Sequence, residues 1–391
     1  MNTCHWPIKT GALWTLIVLA VCVGCKSLKN DDRKKGYTWD HFVMGSDLSY
    51  VNVIEKMGGI YRENGQPGDP FAMLSRRGNN TCRVRLWHNP AWQQNFNGGY
   101  VYSNFSDAER TIHRAKEAGM AVILDLHYSD RWADPEHQET PAAWEGLAIK
   151  DLADSVYNYT LSVLDRLAKK NLIPEMIQIG NETNHGMLWP TGKTDNGFKN
   201  FALFLNAGIR AVRDFSKSAS WAPKVILHVA QLQNSLSWVE SLKIHQVFDY
   251  DIIGLSHYYK WSTVTNWDSM SMIVRQLKEN TGKEVLVVET AFPFTNANAD
   301  GYNNILWEPS GSAAGYPFSE EGQLNYYTDF TRAIVKGGGR GIIIWEPGWI
   351  TSQLNDGWNI GSAWENNAFW NFDGNMHRGV LFMTRDYDIK K

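Results

Sequence analysis

Eight short apolar runs recur along this chain, and most of the intervals between them carry helical periodicity. The runs are His41–Asp47, Thr81–Trp87, Ala121–His127, Met176–Glu182, Lys224–Ala230, Asp251–Tyr258, Glu284–Thr290 and Arg340–Glu346. Their apolar residues are consecutive rather than alternating, which suits strands covered on both faces. Among the spacers, Asp107–Gly119 begins at a Ser106/Asp107 cap signal and stops at glycine. Lys150–Asn171 repeats apolar residues at three- and four-residue spacing. Phe198–Ser216, Ser237–Phe248, Trp267–Gly282 and Glu320–Gly339 follow the same pattern. Strict strand-helix alternation, repeated eight times, implies a closed parallel sheet: α/β class, a single (β/α)8 TIM barrel. A doubly wound open sheet is the main competitor, but no GxGxxG turn follows the first run.

In such barrels reacting groups sit at the carboxyl ends of the strands. The fourth run breaks there into Gly180, Asn181 and Glu182, residues that a strand interior does not favour. The seventh ends in Glu289, preceded by Leu286, Val287 and Val288. Glycosidic bonds are commonly cleaved by two carboxyl groups, one protonated and one ionised, so their surroundings must differ. The surroundings of Glu182 are polar and those of Glu289 apolar, and the two are expected to face each other across one pocket. The long segments after runs three (Tyr128–Ile149), seven (Ala291–Ser319) and eight (Pro347–Asp373) are expected to wall that pocket into a cleft.

Composition narrows the partner. A formal net charge of −3, with no basic stripe, argues against nucleic acid. Eighteen Trp, with 16 Tyr and 16 Phe, exceed the needs of a core and suit surfaces on which sugar rings stack. Residues 1–24 read as a signal peptide of the lipoprotein type. Lys9 precedes an apolar stretch, Ala12–Gly24, that is short for a bilayer span, and a polar segment follows Cys25. Residues 25–38 form a polar tether, and 39–391 the catalytic domain. An exported protein is expected, held by lipid on Cys25 at a bacterial cell surface or in the periplasm, and monomeric. Cys4 and Cys22 leave with the signal, so only Cys82 remains and no internal disulfide forms.

Several ordered motifs carry a family resemblance. They are GSDLSY at Gly45, VRLWHNP at Val84, GMAVILDLHYSDRWADP at Gly119, IQIGNE with GMLWPTGK, DIIGLSHYY, VVETAFP and GIIIWEPGWI. Across residues 43–371 the chain resembles glycoside hydrolase family 53, the endo-β-1,4-galactanases. The resemblance implies a (β/α)8 barrel and a retaining mechanism, with Glu182 as acid/base and Glu289 as nucleophile. It implies hydrolysis of β-1,4-galactan, as in pectic side chains. By position, Arg83 would hold Glu289 ionised, and Asn181 would bind the sugar 2-OH. Tyr258 would orient Glu289, Trp345 would floor the reacting subsite, and His127 ends the third strand beside them. Arg85 reads as facing the other side of its strand, with a structural role. Asp47 and Glu346 read as supports behind the site. Trp87, Trp132, Trp189 and Trp349 read as outer stacking residues. The family's bacterial members place calcium in the loop after strand seven, so Asn298, Asp300, the Tyr302 carbonyl and Asn304 are candidate Ca2+ ligands. The pattern departs from the family at His257-Tyr258-Tyr259-Lys260 and at Val229–Asn234, both expected in the cleft. Three further readings compete: a metal-dependent hydrolase using His127, His228 and His257; a related barrel glycosidase on β-mannan or β-glucan; and a non-catalytic glycan-binding lipoprotein.

Overall fold

All eight runs become strands of one closed parallel barrel in the structure, a computed structural model that describes residues 41–389. They are β1 (Val43–Asp47), β2 (Thr81–Leu86), β3 (Ala121–Leu126), β4 (Met176–Ile179), β5 (Lys224–Ala230), β6 (Ile252–Ser256), β7 (Glu284–Thr290) and β8 (Gly341–Ile344). Each pairs with its neighbour in sequence, and β8 closes on β1 through Val43↔Gly341 to Ser46↔Ile344. The signal peptide at 1–24, the tether at 25–38 and Cys25 lie outside the described residues. Among the described residues, no helix is long and apolar enough to cross a membrane.

Strand periodicity divides each run between two cores. Val43, Ile123, Met176, Ile226, Ile252, Leu286, Val288 and Ile343 form a plug inside the barrel. Their neighbours, such as Val122, Leu124, Ile177 and Val287, pack outward in the layer against the helices. Cys82 is buried on β2 in that outer layer. Toward the carboxyl ends the inward positions turn polar. Asp47, Arg83, Asp125, Gln178, His228 and Ser256 are all buried there.

The helices are α1 (Val51–Lys56), α2 (Pro70–Arg76), α3 (Phe105–Glu117), α4 (Ile149–Ala168), α5 (Lys199–Ser216), α6 (Leu232–Ile244), α7 (Trp267–Thr281) and α8 (Glu320–Lys336). The first two lie between β1 and β2, where the sequence showed no helical pattern. At 6 and 7 residues, neither is long enough to repeat one. Asn104, not Ser106 or Asp107, caps α3, its side chain accepting from Asp107 N at 2.9 Å. α6 starts at Leu232 rather than at Ser237, directly after Gln231, whose φ of 63° turns the chain sharply out of β5.

One irregularity aims the site. Along β7, Ile342↔Val287 is followed by Ile344↔Thr290, and Leu255↔Val287 by Ser256↔Glu289. Both neighbouring strands therefore meet one extra residue after Val287, a β-bulge. Strict alternation would send Glu289 outward with Val285 and Val287. The bulge turns it inward, a known use of bulges beside reacting groups.

Gly45 on β1 is tightly enclosed by its neighbours. A Cβ there would sit 2.7 Å from the Thr81 carbonyl oxygen and closer still to Ile343 Cδ1. Gly45→Ala is expected to destabilise the barrel by about 1–3 kcal/mol, read as a lowered midpoint in urea denaturation. An unchanged midpoint would mean that the strands have slack at this level.

Candidate active site

A groove of ≈ 940 Å³ crosses the carboxyl ends of the strands. The loop after β3 supplies Trp132, Asp134 and His137, the loop after β7 supplies Tyr302, and the loop after β8 supplies Trp349, Trp358 and Trp364. These are the three long segments expected to wall a cleft. Glu182, Glu289, Asn181, Tyr258 and Trp345 all reach the same groove.

Glu182 arrives there by a sharp turn. β4 ends at Ile179, then Gly180 takes φ 78° and Glu182 itself φ 46°. A Cβ on residue 180 would press on Thr183 Cγ2 at 2.7 Å, so glycine is required on both counts. Glu289 arrives by the bulge. A carboxylate oxygen of each glutamate and a ring nitrogen of His228 all lie within 4.8 Å of one another. Ser256 Oγ bridges the pair, donating to Glu182 Oε1 at 2.5 Å and lying 3.5 Å from Glu289 Oε2. The Tyr258 hydroxyl donates to Glu289 Oε2 at 3.0 Å.

Beneath the glutamates a single guanidinium organises the polar layer. Arg83 donates to Asp47 Oδ2 (2.9 Å), Asp125 Oδ2 (2.8 Å), Asn181 Oδ1 (2.7 Å) and Gln178 Oε1 (3.2 Å). Its Nη1 also lies 2.8 Å from Glu289 Oε1. That oxygen receives no directed hydrogen bond, so the contact is an ion pair without donor alignment. Asn181 is pinned from both ends, its Nδ2 donating to the Ala133 carbonyl at 2.8 Å. Burial opposes the charge on Arg83, but Asp125, Glu289 and Asp47 together raise its pKa.

Both glutamates are pushed above the ordinary carboxylate range. For Glu182 the main cause is desolvation and the second is Glu289. Glu289 is raised to about 7, chiefly by desolvation, with Arg83 pulling down against Asp125 and Asp47. Glu182 is the half-buried member of the pair and Glu289 the buried one. Two carboxyls this close titrate as a unit, and a single proton shared between them is the low-energy state near neutrality.

The family model described as glycosyl hydrolase family 53 matches residues 43–383. The chain belongs to glycosyl hydrolase family 53. It is 40% identical over 352 residues to a Cellvibrio japonicus protein named arabinogalactan endo-β-1,4-galactanase, covering 88% of this chain and 91% of the relative. Its fold is similar to the family 53 catalytic domain from Ignisphaera aggregans, with a TM-score of 0.80 and 32% identity, covering 89% of this chain and 97% of the other. A structure from a study of two fungal β-1,4-galactanases matches with a TM-score of 0.74 and 30% identity, covering 88% and 100%.

For this family 53 chain, several residues differ from their sequence reading. His127 does not reach the groove. Its Nδ1 accepts from Trp87 Nε1 (3.2 Å) and Ala133 N (3.1 Å), and its Nε2 pairs with Asp125 Oδ2 at 3.0 Å. Both nitrogens are thus occupied, and the ring sits behind the site rather than on substrate. Arg83 likewise acts from below, fully buried. Arg85 does not face the other side of β2. Two residues apart on a strand share a face, and the Arg85 guanidinium lies 4.1 Å over Trp132, 4.5 Å over Tyr50 and 5.8 Å from Trp345. Its Nη1 is 3.4 Å from Glu346 Oε1, so Glu346 and Asp47 do stand behind the site, one under each arginine. Trp132 and Trp349 line the groove, whereas Trp87 is wholly buried and Trp189 lies outside the lining. Trp261 and Trp358, 46% and 66% exposed, line it instead. Both lie in loops after strands, and no periodicity marks such residues.

His127, His228 and His257 do not converge as metal ligands. The His257 ring points out of the barrel, 5.4 Å from Phe330 of α8, and burial lowers its pKa to about 3. His228 has both nitrogens engaged, one near Glu182 N and one on Ser256 Oγ.

In the loop after β7, side chains read as Ca2+ ligands bond one another and the segment after β8. Asn298 Oδ1 accepts from Asn304 Nδ2 at 2.5 Å, and Asn304 Oδ1 accepts from Asn366 N at 3.3 Å. Asp300 accepts from Tyr302 N (2.8 Å), Ser362 N (3.0 Å) and the Thr351 hydroxyl. Tyr302 turns its hydroxyl to Asp356 Oδ2 at 3.0 Å. Glu365 adjoins this loop: its Oε1 accepts from Ala299 N, its buried Oε2 has no hydrogen-bond partner, and burial, with Asp300 beside it, raises its pKa to about 7. Bound Ca2+ at this loop would be read as a melting temperature that falls in excess chelator and recovers when Ca2+ is added back. An unchanged melting temperature would count against bound calcium.

Proposed function

We propose that this protein is a retaining endo-hydrolase of β-1,4-galactan that works by double displacement on Glu182 and Glu289. The carrying observation is the approach of the two carboxylates within 4.8 Å at their nearest oxygens. Retention calls for carboxyls roughly 5–5.5 Å apart, against about 6.5–9.5 Å when a water must fit between for inversion. Glu289 is held by the Tyr258 hydroxyl and the Arg83 charge, both of which favour its ionised form. Glu182, half-buried and next to that anion, is the member that keeps the proton.

In the first step Glu289 attacks the anomeric carbon while Glu182 gives its proton to the departing glycosidic oxygen. The bond from sugar to aglycone breaks and a glycosyl ester forms on Glu289. With the Glu289 charge consumed in the ester, the Glu182 pKa falls, so Glu182, its proton given up, stays ionised and acts as the base that takes a proton from water. That water attacks the anomeric carbon, whose bond to the Glu289 oxygen breaks, and the Glu289 carboxylate is regenerated. Asn181, fixed by Arg83 and Ala133, has one amide hydrogen left for the sugar 2-OH. Trp345, tilted against Trp132 at 5.6 Å, floors the reacting sugar. Exposed Trp261 and Trp358, from loops after β6 and β8, give stacking surfaces for further sugars, which supports internal cleavage of a polymer. The galactan specificity rests on the names of the similar proteins.

Purified enzyme incubated with β-1,4-galactan, β-mannan and β-glucan is expected to release oligosaccharides from galactan alone. Glu182→Ala should lower turnover on galactan by about 10²–10⁴-fold, and Glu289→Ala by more, with circular dichroism unchanged. Near wild-type turnover in Glu289→Ala would remove it as the nucleophile.

A further inference from the structure

Glu182 adopts φ 46°, a left-handed conformation that L-residues other than glycine rarely take. Such strain persists where surrounding contacts over-determine it, and here those contacts form a ring. The Glu182 backbone N–H points at His228 Nδ1 (3.2 Å), and Gln178 Nε2 lies at the same distance from that nitrogen. Asn181 Oδ1 is also near, at 2.9 Å, but it already accepts from Arg83 and Gln178. A backbone N–H can only donate, so Nδ1 is assigned as the acceptor and the imidazole proton as sitting on Nε2. His228 Nε2 lies 2.9 Å from Ser256 Oγ and donates to it. The Ser256 hydroxyl, its lone pair so engaged, donates to Glu182 Oε1 at 2.5 Å. The ring starts at the Glu182 backbone and ends on the Glu182 carboxyl.

We infer that Ser256 and His228 are positioning residues for the acid/base step: they pin Oε1 of Glu182 and so leave Oε2 to carry the proton toward the glycosidic oxygen. This rests on Glu182 being the acid/base. An imidazole beside the pair is compatible with this role. A neutral His228, one nitrogen accepting and one donating, orients the serine hydroxyl without adding a charge. Ser256 is nearer to Glu182 than to Glu289 by a full ångström (2.5 against 3.5 Å), so its effect falls on proton delivery rather than on nucleophilic attack.

The test compares two substrates by kcat/KM, which reports the steps through glycosylation. β-1,4-Galactan has a sugar alkoxide as leaving group and needs the proton. A 2,4-dinitrophenyl β-1,4-galactobioside has a stable phenolate as leaving group and does not. Ser256→Ala is expected to lower kcat/KM roughly 10- to 100-fold on galactan and little on the aryl glycoside. Ser256→Thr, which keeps the hydroxyl, should restore most of the loss. The ratio of the two values is independent of how much of each variant is folded. Equal losses on both substrates, or no loss on either, would overturn the inference. Glu182→Ala measured in parallel separates the two claims. If it too loses equally on both substrates, the acid/base reading itself fails; if it is selective and Ser256→Ala is not, only the positioning role fails.

Discussion

The site depends on one buried guanidinium. Arg83 reaches from β2 to Asp47 on β1, Asp125 on β3, Asn181 after β4 and Glu289 on β7. None of these groups is accessible enough for water to replace the arginine. A buried ion pair is weak evidence for stability, because desolvation consumes most of its Coulombic gain. Its consequence here is geometric. A planar cation with fixed donor directions sets the positions of several carboxyl and amide oxygens at once. Asp47, Asp125 and the Asn181 amide are therefore set by directed bonds to one group, and Glu289 is drawn to the same group by charge. The residue below Glu289 and the residue next to Glu182 cannot shift independently.

Neutral imidazoles complete that electrostatic design. His127 and His228 are both buried, and desolvation, with the nearby arginines, holds each below the ordinary histidine range. Each has Nδ1 facing N–H donors and Nε2 facing an acceptor. The positive charge in the polar layer is then carried by arginine and stays constant with pH, while the protons that move belong to the two glutamates. Arg85 extends the same idea outward. Caged by Tyr50, Trp87, Trp132 and Trp345, it sets the tilt of the aromatic floor on which a sugar would rest.

The barrel was legible in the sequence because its signal is repeated. Eight buried runs and six periodic spacers reinforce one another, and small errors at their ends do not change the topology. α1 and α2 escaped because helices of 6 and 7 residues show no repeat. Glu182 was readable from the polar break after Ile179. Glu289 was readable only as the end of a run. Alternation alone would have pointed it outward, and the bulge that reverses it has no marker in Val287–Val288–Glu289. Arg85 was legible and misjudged, since its two-residue spacing from Arg83 fixes a common face. Loop residues carried the least signal. Trp261 and Trp358 enter the groove, and Asn298 and Asn304 bond each other, through loop geometry that composition does not encode.

The central claim is that two glutamates from different strands meet closely enough to leave no room for a water between the sugar and its attacker. The anomeric form of the first product reports this directly. Proton NMR of galactan hydrolysis, followed from the first minute before mutarotation, is expected to show the β-anomer of the new reducing end appearing first and the α-anomer growing in later. Initial release of the α-anomer would mean inversion, and would contradict the account.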